Sequence, residues 1–130
     1  MKLIFAAEDT IAGIICGLLL IGFTGTLFTL KLSDALYIIA FIIYSVFIVL
    51  DLFNEIRDLT THFGFILFSL LHSLIDLVIA LMFVSYFSKW PIPFITENLL
   101  GFITGSTIIY FGVFLVAGNI IWLCLYPFLD

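Results

Sequence analysis

The sequence predicts an all-α integral membrane protein: a four-transmembrane-helix antiparallel bundle forming one transmembrane domain over residues 1–130. Three observations carry this expectation. Of the 130 residues, 65% are hydrophobic and 10% charged, with a mean hydropathy of +1.39, whereas soluble domains are about half apolar and a quarter charged. The apolar residues fall into four runs, each near the ~20 residues that cross a bilayer as a helix. Short connections separate those runs, which leaves almost no chain for a domain outside the membrane.

The first span is expected at about 10–30, with Asp9 or Thr10 as its cap and Glu8 and Asp9 where the helix dipole favours negative charge. Gly13 and Gly17 form a GxxxG pair, and Gly22, Gly25, Thr26 and Thr29 a second small strip, of the kind that lets helix backbones approach closely in lipid. Acids interrupt the N-terminal apolar stretch and the span outruns a signal-peptide core, so the segment reads as retained. Ser33 and Asp34 cap the second span, about 35–54. There Tyr37, Tyr44, Asp51 and Asp58 recur every seven residues, with Phe41 and Glu55 close to the same stripe, so an aromatic face turns acidic toward the C-terminal end.

The third span, about 62–88, ends at Lys89-Trp90-Pro91, with Pro93 close behind. This stop combines a snorkelling cation, an interfacial aromatic and residues that cannot continue a helix. The fourth is expected at about 97–126, capped by Thr96. It carries a GxxxG pair, Gly101 and Gly105, followed by Gly112 and Asn119 at seven-residue intervals, with Trp122 and Tyr126 marking the exit interface. Glu97 to Gly105 also has the layout of Asp9 to Gly17, which acids at helix starts and close-packing glycines explain without a duplication.

Four basic residues are present and the net charge is -5, a balance that excludes a nucleic-acid surface and a polybasic lipid-binding segment. In a four-helix topology Lys2 and Arg57 share one side and Lys31 and Lys89 the other. The positive-inside rule then sets no orientation, and dual topology with a homo-oligomeric assembly is allowed. The acids are lopsided: Glu8, Asp9, Asp51, Glu55, Asp58 and Asp130 gather on the N-terminal side, against Asp34 and Glu97. Cys16 and Cys124 lie in apolar runs without CxxC spacing, which signals neither a disulfide framework nor a thiolate metal site.

The third span carries the chemistry. Ser69, His72, Ser73 and Asp76 sit at i, i+3, i+4 and i+7, on one helical face. A charge at membrane depth costs several kcal/mol, so such residues turn to a bundle interior or a water-filled cavity and find partners there. At ~1.5 Å per residue, Cys16, His72 and Asn119 lie roughly 12 to 15 Å below the acidic side, and Asp76 lies near the midplane with Tyr44 and Tyr110. A desolvated His/Asp pair is able to pass a proton near neutral pH. The leading expectation is therefore cation or proton movement. His72 and Asp76 form the relay in it, Asp51 and Glu55 its acidic mouth, and Ser69, Ser73, Asn119, Tyr44 and Tyr110 its polar support.

Two rivals stand beside it. One is a non-catalytic subunit of a larger membrane complex, with the lipid bilayer and other membrane subunits as its partners. The other is a metal site in which His72 and Asp76 ligate one ion from a single helix face, completed by Asp51, Cys16 or Asn119. His62 at a helix start reads as an ordinary solvated histidine, and the 16 phenylalanines need no cofactor to explain them. Enzyme readings rank low because no nucleophile motif, phosphate loop or nucleotide fingerprint appears.

Overall fold

A computed structural model describes residues 2–25, 27–30, 32–57 and 63–129, with backbone only at 2–9, 54, 55, 57, 63–69 and 125–129. The described residues form helices and no strands. The elements are α1 (Lys2–Thr24), α2 (Asp34–Arg57), α3 (Phe63–Ser88), a four-residue α4 (Ile95–Asn98), a 3-10 turn (Leu100–Phe102) and α5 (Ile108–Leu129). Four of these helices are long. Within α2 and α3, Asp34–Phe53 and Leu70–Ser88 are long and apolar enough to cross a membrane, and Thr10–Thr24 and Ile108–Cys124 are shorter apolar stretches.

Two spans differ from the sequence expectation for identifiable reasons. The first helix begins at Lys2, which puts Thr10 inside it as a buried residue rather than a cap. It ends six residues before Leu30, because Gly25 takes a φ of 70° that only glycine adopts cheaply. The chain then folds back so that the Leu30 N–H donates to the Gly22 carbonyl at 3.0 Å. Gly22 thus serves this turn, with Leu30 and Phe28 packed where a Cβ would stand, and Gly25 and Thr29 follow α1 instead of extending it; Thr26 lies outside the described residues.

The fourth helix starts at Ile108 instead of residue 97. Lys89 and Phe94 both hold positive φ, 62° and 69°, and fold the 89–98 segment back against α3. Ser85 fastens it there: its hydroxyl donates to the Trp90 carbonyl at 2.8 Å and lies 2.9 Å from Thr96 Oγ1, which accepts the Ile92 N–H at 2.7 Å. Thr96 therefore ties the connection down and does not cap a helix. Gly101 and Gly105 fall outside α5 with nothing within 4 Å of an added Cβ, so that GxxxG pair makes no helix contact.

Packing follows the residue periodicities. On α2 the buried stripe is Tyr37, Phe41, Tyr44, Ile48 and Asp51; on α3 it is Ser73, Asp76, Ala80, Phe83 and Phe87. These spacings of three, four and seven residues make one face of each helix. Toward one end the faces meet as an aromatic cluster, with Tyr37 stacked on Phe87 at 4.8 Å, Phe41 stacked on Phe83 at 5.4 Å, and Phe23 of α1 edge-on to both Tyr37 and Phe87. Toward the other end the faces turn polar. Alpha-1 joins α5 where glycines remove the side chains between them: a Cβ on Gly17 would stand 2.7 Å from the Gly112 carbonyl oxygen.

The interior combines an apolar core with buried polar groups, and the surface is rich in apolar side chains. Thr10, Ser45, Asp51, Ser73, Asp76, Ser85 and Asn119 are buried, while Ile39, Ile43, Val46, Phe53, Leu71 and Ile121 are exposed.

The glycine contact is open to test by thermal unfolding in detergent. Gly17→Ala gains about 1 kcal/mol of helix propensity, but its methyl meets backbone that cannot rotate away, and overpacking costs about 1–3 kcal/mol. A net loss of stability is expected. Gly101→Ala and Gly105→Ala, facing open space, should stay within about 0.5 kcal/mol of the parent chain.

Candidate functional site

The polar end of the interior is built from four helices. Alpha-3 supplies His72 and Asp76, one turn apart, with His72 Nε2 3.6 Å from Asp76 Oδ2. That separation lies just beyond a formed hydrogen bond. Asp76 is 1% exposed, and Ser73 beside it is buried. The carboxyl is acted on by two groups, His72 and the Tyr44 hydroxyl from α2. Tyr44 reaches it because the heptad spacing of α2 keeps residues 37, 44 and 51 on the inward face.

Alpha-5 contributes Asn119, 1% exposed, whose Nδ2 donates to the Leu115 carbonyl at 2.7 Å, one turn back along the same helix. Alpha-1 contributes absence of bulk. A Cβ on Gly13 would strike the Asn119 amide group and stand 2.8 Å from the Tyr44 hydroxyl, so only glycine lets these two side chains occupy that space. Gly118 of α5 borders the same site, but an added Cβ would sit 3.9 Å from His72 Nε2, an ordinary contact that a methyl group can make.

Trp122 completes the arrangement. Its ring stacks on the His72 imidazole with centroids 5.0 Å apart and planes 12° from parallel. It is 7% exposed, so it is an interior residue of the site and not the interfacial marker expected from its type. The signal for this lies in its position: Ile108, Gly112, Leu115, Asn119 and Trp122 follow the four-three alternation of a single buried stripe.

Among the described residues, Asp76 Oδ1 and Oδ2, His72 Nε2 and Asn119 Oδ1 are buried without a fully formed hydrogen bond. Buried polar atoms are nearly always paired, and each unpaired one costs about 1–3 kcal/mol. Three side chains, His72, Asp76 and Asn119, contribute these four atoms.

The remaining expected residues separate. Asp51 is buried on α2, seven residues or about two turns from Tyr44. Tyr110 is 72% exposed near the start of α5, because it falls two residues off the buried stripe of Ile108, Gly112 and Leu115; it supports nothing at Asp76. Cys16 is buried, but its thiol donates to the Ala40 carbonyl of α2 at 3.6 Å. No group of three His, Cys, Asp or Glu side chains able to hold a metal ion forms among the described residues, so the Asp51 and Cys16 completion of a His72/Asp76 metal site is not assembled. The side chains of Glu55 and Ser69, and all of Asp58 and His62, lie outside the described residues.

No protein-family profile, curated protein sequence or solved structure matches this chain. Any functional reading therefore rests on the side chains themselves.

The two tyrosines separate the observed site from the expected one. Tyr44→Phe removes a buried hydroxyl facing a carboxyl and should cost about 1–3 kcal/mol in detergent unfolding. Tyr110→Phe alters an exposed ring tip and should change stability by less than about 0.5 kcal/mol.

Proposed function

We propose that this chain is a multi-pass integral membrane protein, an antiparallel four-helix bundle that moves or relays cations or protons through His72 and Asp76. The observation that carries the reading is a carboxyl 1% exposed, 3.6 Å from an imidazole, at the meeting point of four apolar helices. Intramembrane ionisable residues are costly and are retained at ion pathways and proton relays.

The membrane part of the proposal draws on the apolar exterior and on the polar groups buried beneath it. In water, an exterior rich in isoleucine, valine, leucine and phenylalanine would expose a broad apolar surface while acid, amide and hydroxyl groups lie buried beneath it. In a bilayer the same surface faces acyl chains, and the buried acid, amide and hydroxyl groups face one another. The lipid bilayer is then the principal partner. The shorter apolar stretches of α1 and α5, Thr10–Thr24 and Ile108–Cys124, cross as members of the bundle, packed against each other through Gly13, Gly17 and Gly112.

Within this reading the roles divide by position. Asp76 is the innermost group; His72, whose side chain is 19% exposed against 2% for that of Asp76, is the end that faces outward. Tyr44 and Asn119 hold the carboxyl's surroundings, and Asp51 continues the polar face along α2.

Reconstitution into proteoliposomes tests the proposal. Wild-type protein should carry an ion or proton current above that of empty vesicles, and Asp76→Asn, which keeps the side-chain shape, should reduce it to the empty-vesicle level while the helical signal is retained. Undiminished current in Asp76→Asn would remove Asp76 from the path.

A further inference from the structure

We infer that the centre holds one proton, shared between Asp76 and His72, and takes no metal cation. This deepens the reading above, on which it rests for the site though not for its test.

The first ground is the imbalance of donors and acceptors. Asp76 Oδ1 and Oδ2 and Asn119 Oδ1 are buried acceptors without a fully formed hydrogen bond, and His72 Nε2 faces Asp76 Oδ2 in the same state. A positively charged or hydrogen-bearing species is what such a cluster lacks. One proton meets the need in either of two places. On Asp76 it neutralises the carboxyl and leaves Nε2 as an acceptor; on Nε2 it forms an imidazolium beside a carboxylate. In passing between them, the O–H bond at Asp76 breaks as the N–H bond at His72 forms, and nothing else enters or leaves.

The second ground is what the backbone withholds. Membrane sites for sodium and similar ions take several of their oxygens from unwound helices, and potassium filters take theirs from free carbonyls. Here α2, α3 and α5 run unbroken through Tyr44, His72 to Asp76 and Asn119, so their carbonyls serve the helical ladder. What remains is one carboxyl, one amide oxygen, the Tyr44 and Ser73 hydroxyls and one ring nitrogen; Asp76 is the one anionic group among them, too little charge to offset the lost hydration of a metal ion. Nor does a hydrated ion fit beside α1, where even a methyl group on Gly13 would stand 2.8 Å from the Tyr44 hydroxyl.

The third ground is the stacking of Trp122 on His72 at 5.0 Å. An indole face attracts a cation, so the stacked ring is compatible with either place of the shared proton, the imidazolium included. The titratable groups bearing on Asp76 are His72 from α3 and Tyr44 from α2; α5 presents the neutral Asn119 and Trp122, and α1 presents Gly13.

Infrared difference spectroscopy of the purified full chain in detergent, titrated with acid in sodium chloride and again with sodium replaced by a bulky organic cation, tests the inference. A protonated-carboxyl band should appear, be missing in Asp76→Asn, and titrate at the same pH in both salts. His72→Gln should move that midpoint, and it provides a second readout if Asp76→Asn does not fold. Trp122→Phe, which keeps a ring of weaker attraction, should move it less. A midpoint that shifts tenfold in proton concentration for each tenfold change in sodium would show competition and overturn the inference, as would a wild-type carboxyl that never protonates over the titration. The band in protein that conducts nothing supports the resident proton and removes the relay; sodium-driven flux with competition does the reverse.

Discussion

A carboxyl group enclosed by four helices is the constraint on which this structure turns. Placing Asp76 in the interior carries a desolvation cost of several kcal/mol unless the charge is neutralised or matched. His72 at 3.6 Å and the Tyr44 hydroxyl answer it in part. Neither can be moved far: His72 is held on the same helix face and by the Trp122 ring, and Tyr44 by the inward stripe of α2. The glycines of α1 and α5 follow from the same need, since Gly13 leaves the space that Tyr44 and Asn119 occupy, and Gly17 and Gly112 bring the two backbones close enough to enclose it.

The aromatic half of the interior packs α2 and α3 together at the other end. Tyr37, Phe41, Phe83 and Phe87 are buried and mutually packed, and such ring pairs contribute about 0.5–1.5 kcal/mol beyond their buried area. Because these rings lie on the same two stripes as Tyr44 and Asp76, fixing the aromatic end fixes the rotation of α2 and α3 at the polar end. Fold and site are in this sense one arrangement, with packing at one end setting geometry at the other.

Periodicity made much of this legible in the sequence. The inward faces of α2 and α3 follow from seven-residue spacing and from the i, i+3, i+4 grouping of His72, Ser73 and Asp76, and the end of α3 follows from Lys89, Trp90 and the prolines. What the sequence concealed depends on backbone conformation and on distant contacts. Positive φ at Gly25, Lys89 and Phe94 shortens α1 and delays α5, and the eleven-residue shift of that helix start leaves Gly101 and Gly105 off the helix, while Tyr110 falls off the buried stripe of α5. Residue type misled at Trp122, where an aromatic near a chain end reads as an interface anchor although its spacing from Leu115 and Asn119 places it on the buried stripe.

The account's central claim is that side chains from different helices act as one unit around Asp76. A double-mutant cycle between Tyr44→Phe and Asp76→Asn, read by equilibrium unfolding in detergent, measures that directly. Residues in one buried network couple by about 0.5–3 kcal/mol. Coupling in that range is the result expected here. Additive effects of the two substitutions would contradict the account, because they would mean that Tyr44 and Asp76 are buried near each other without interacting.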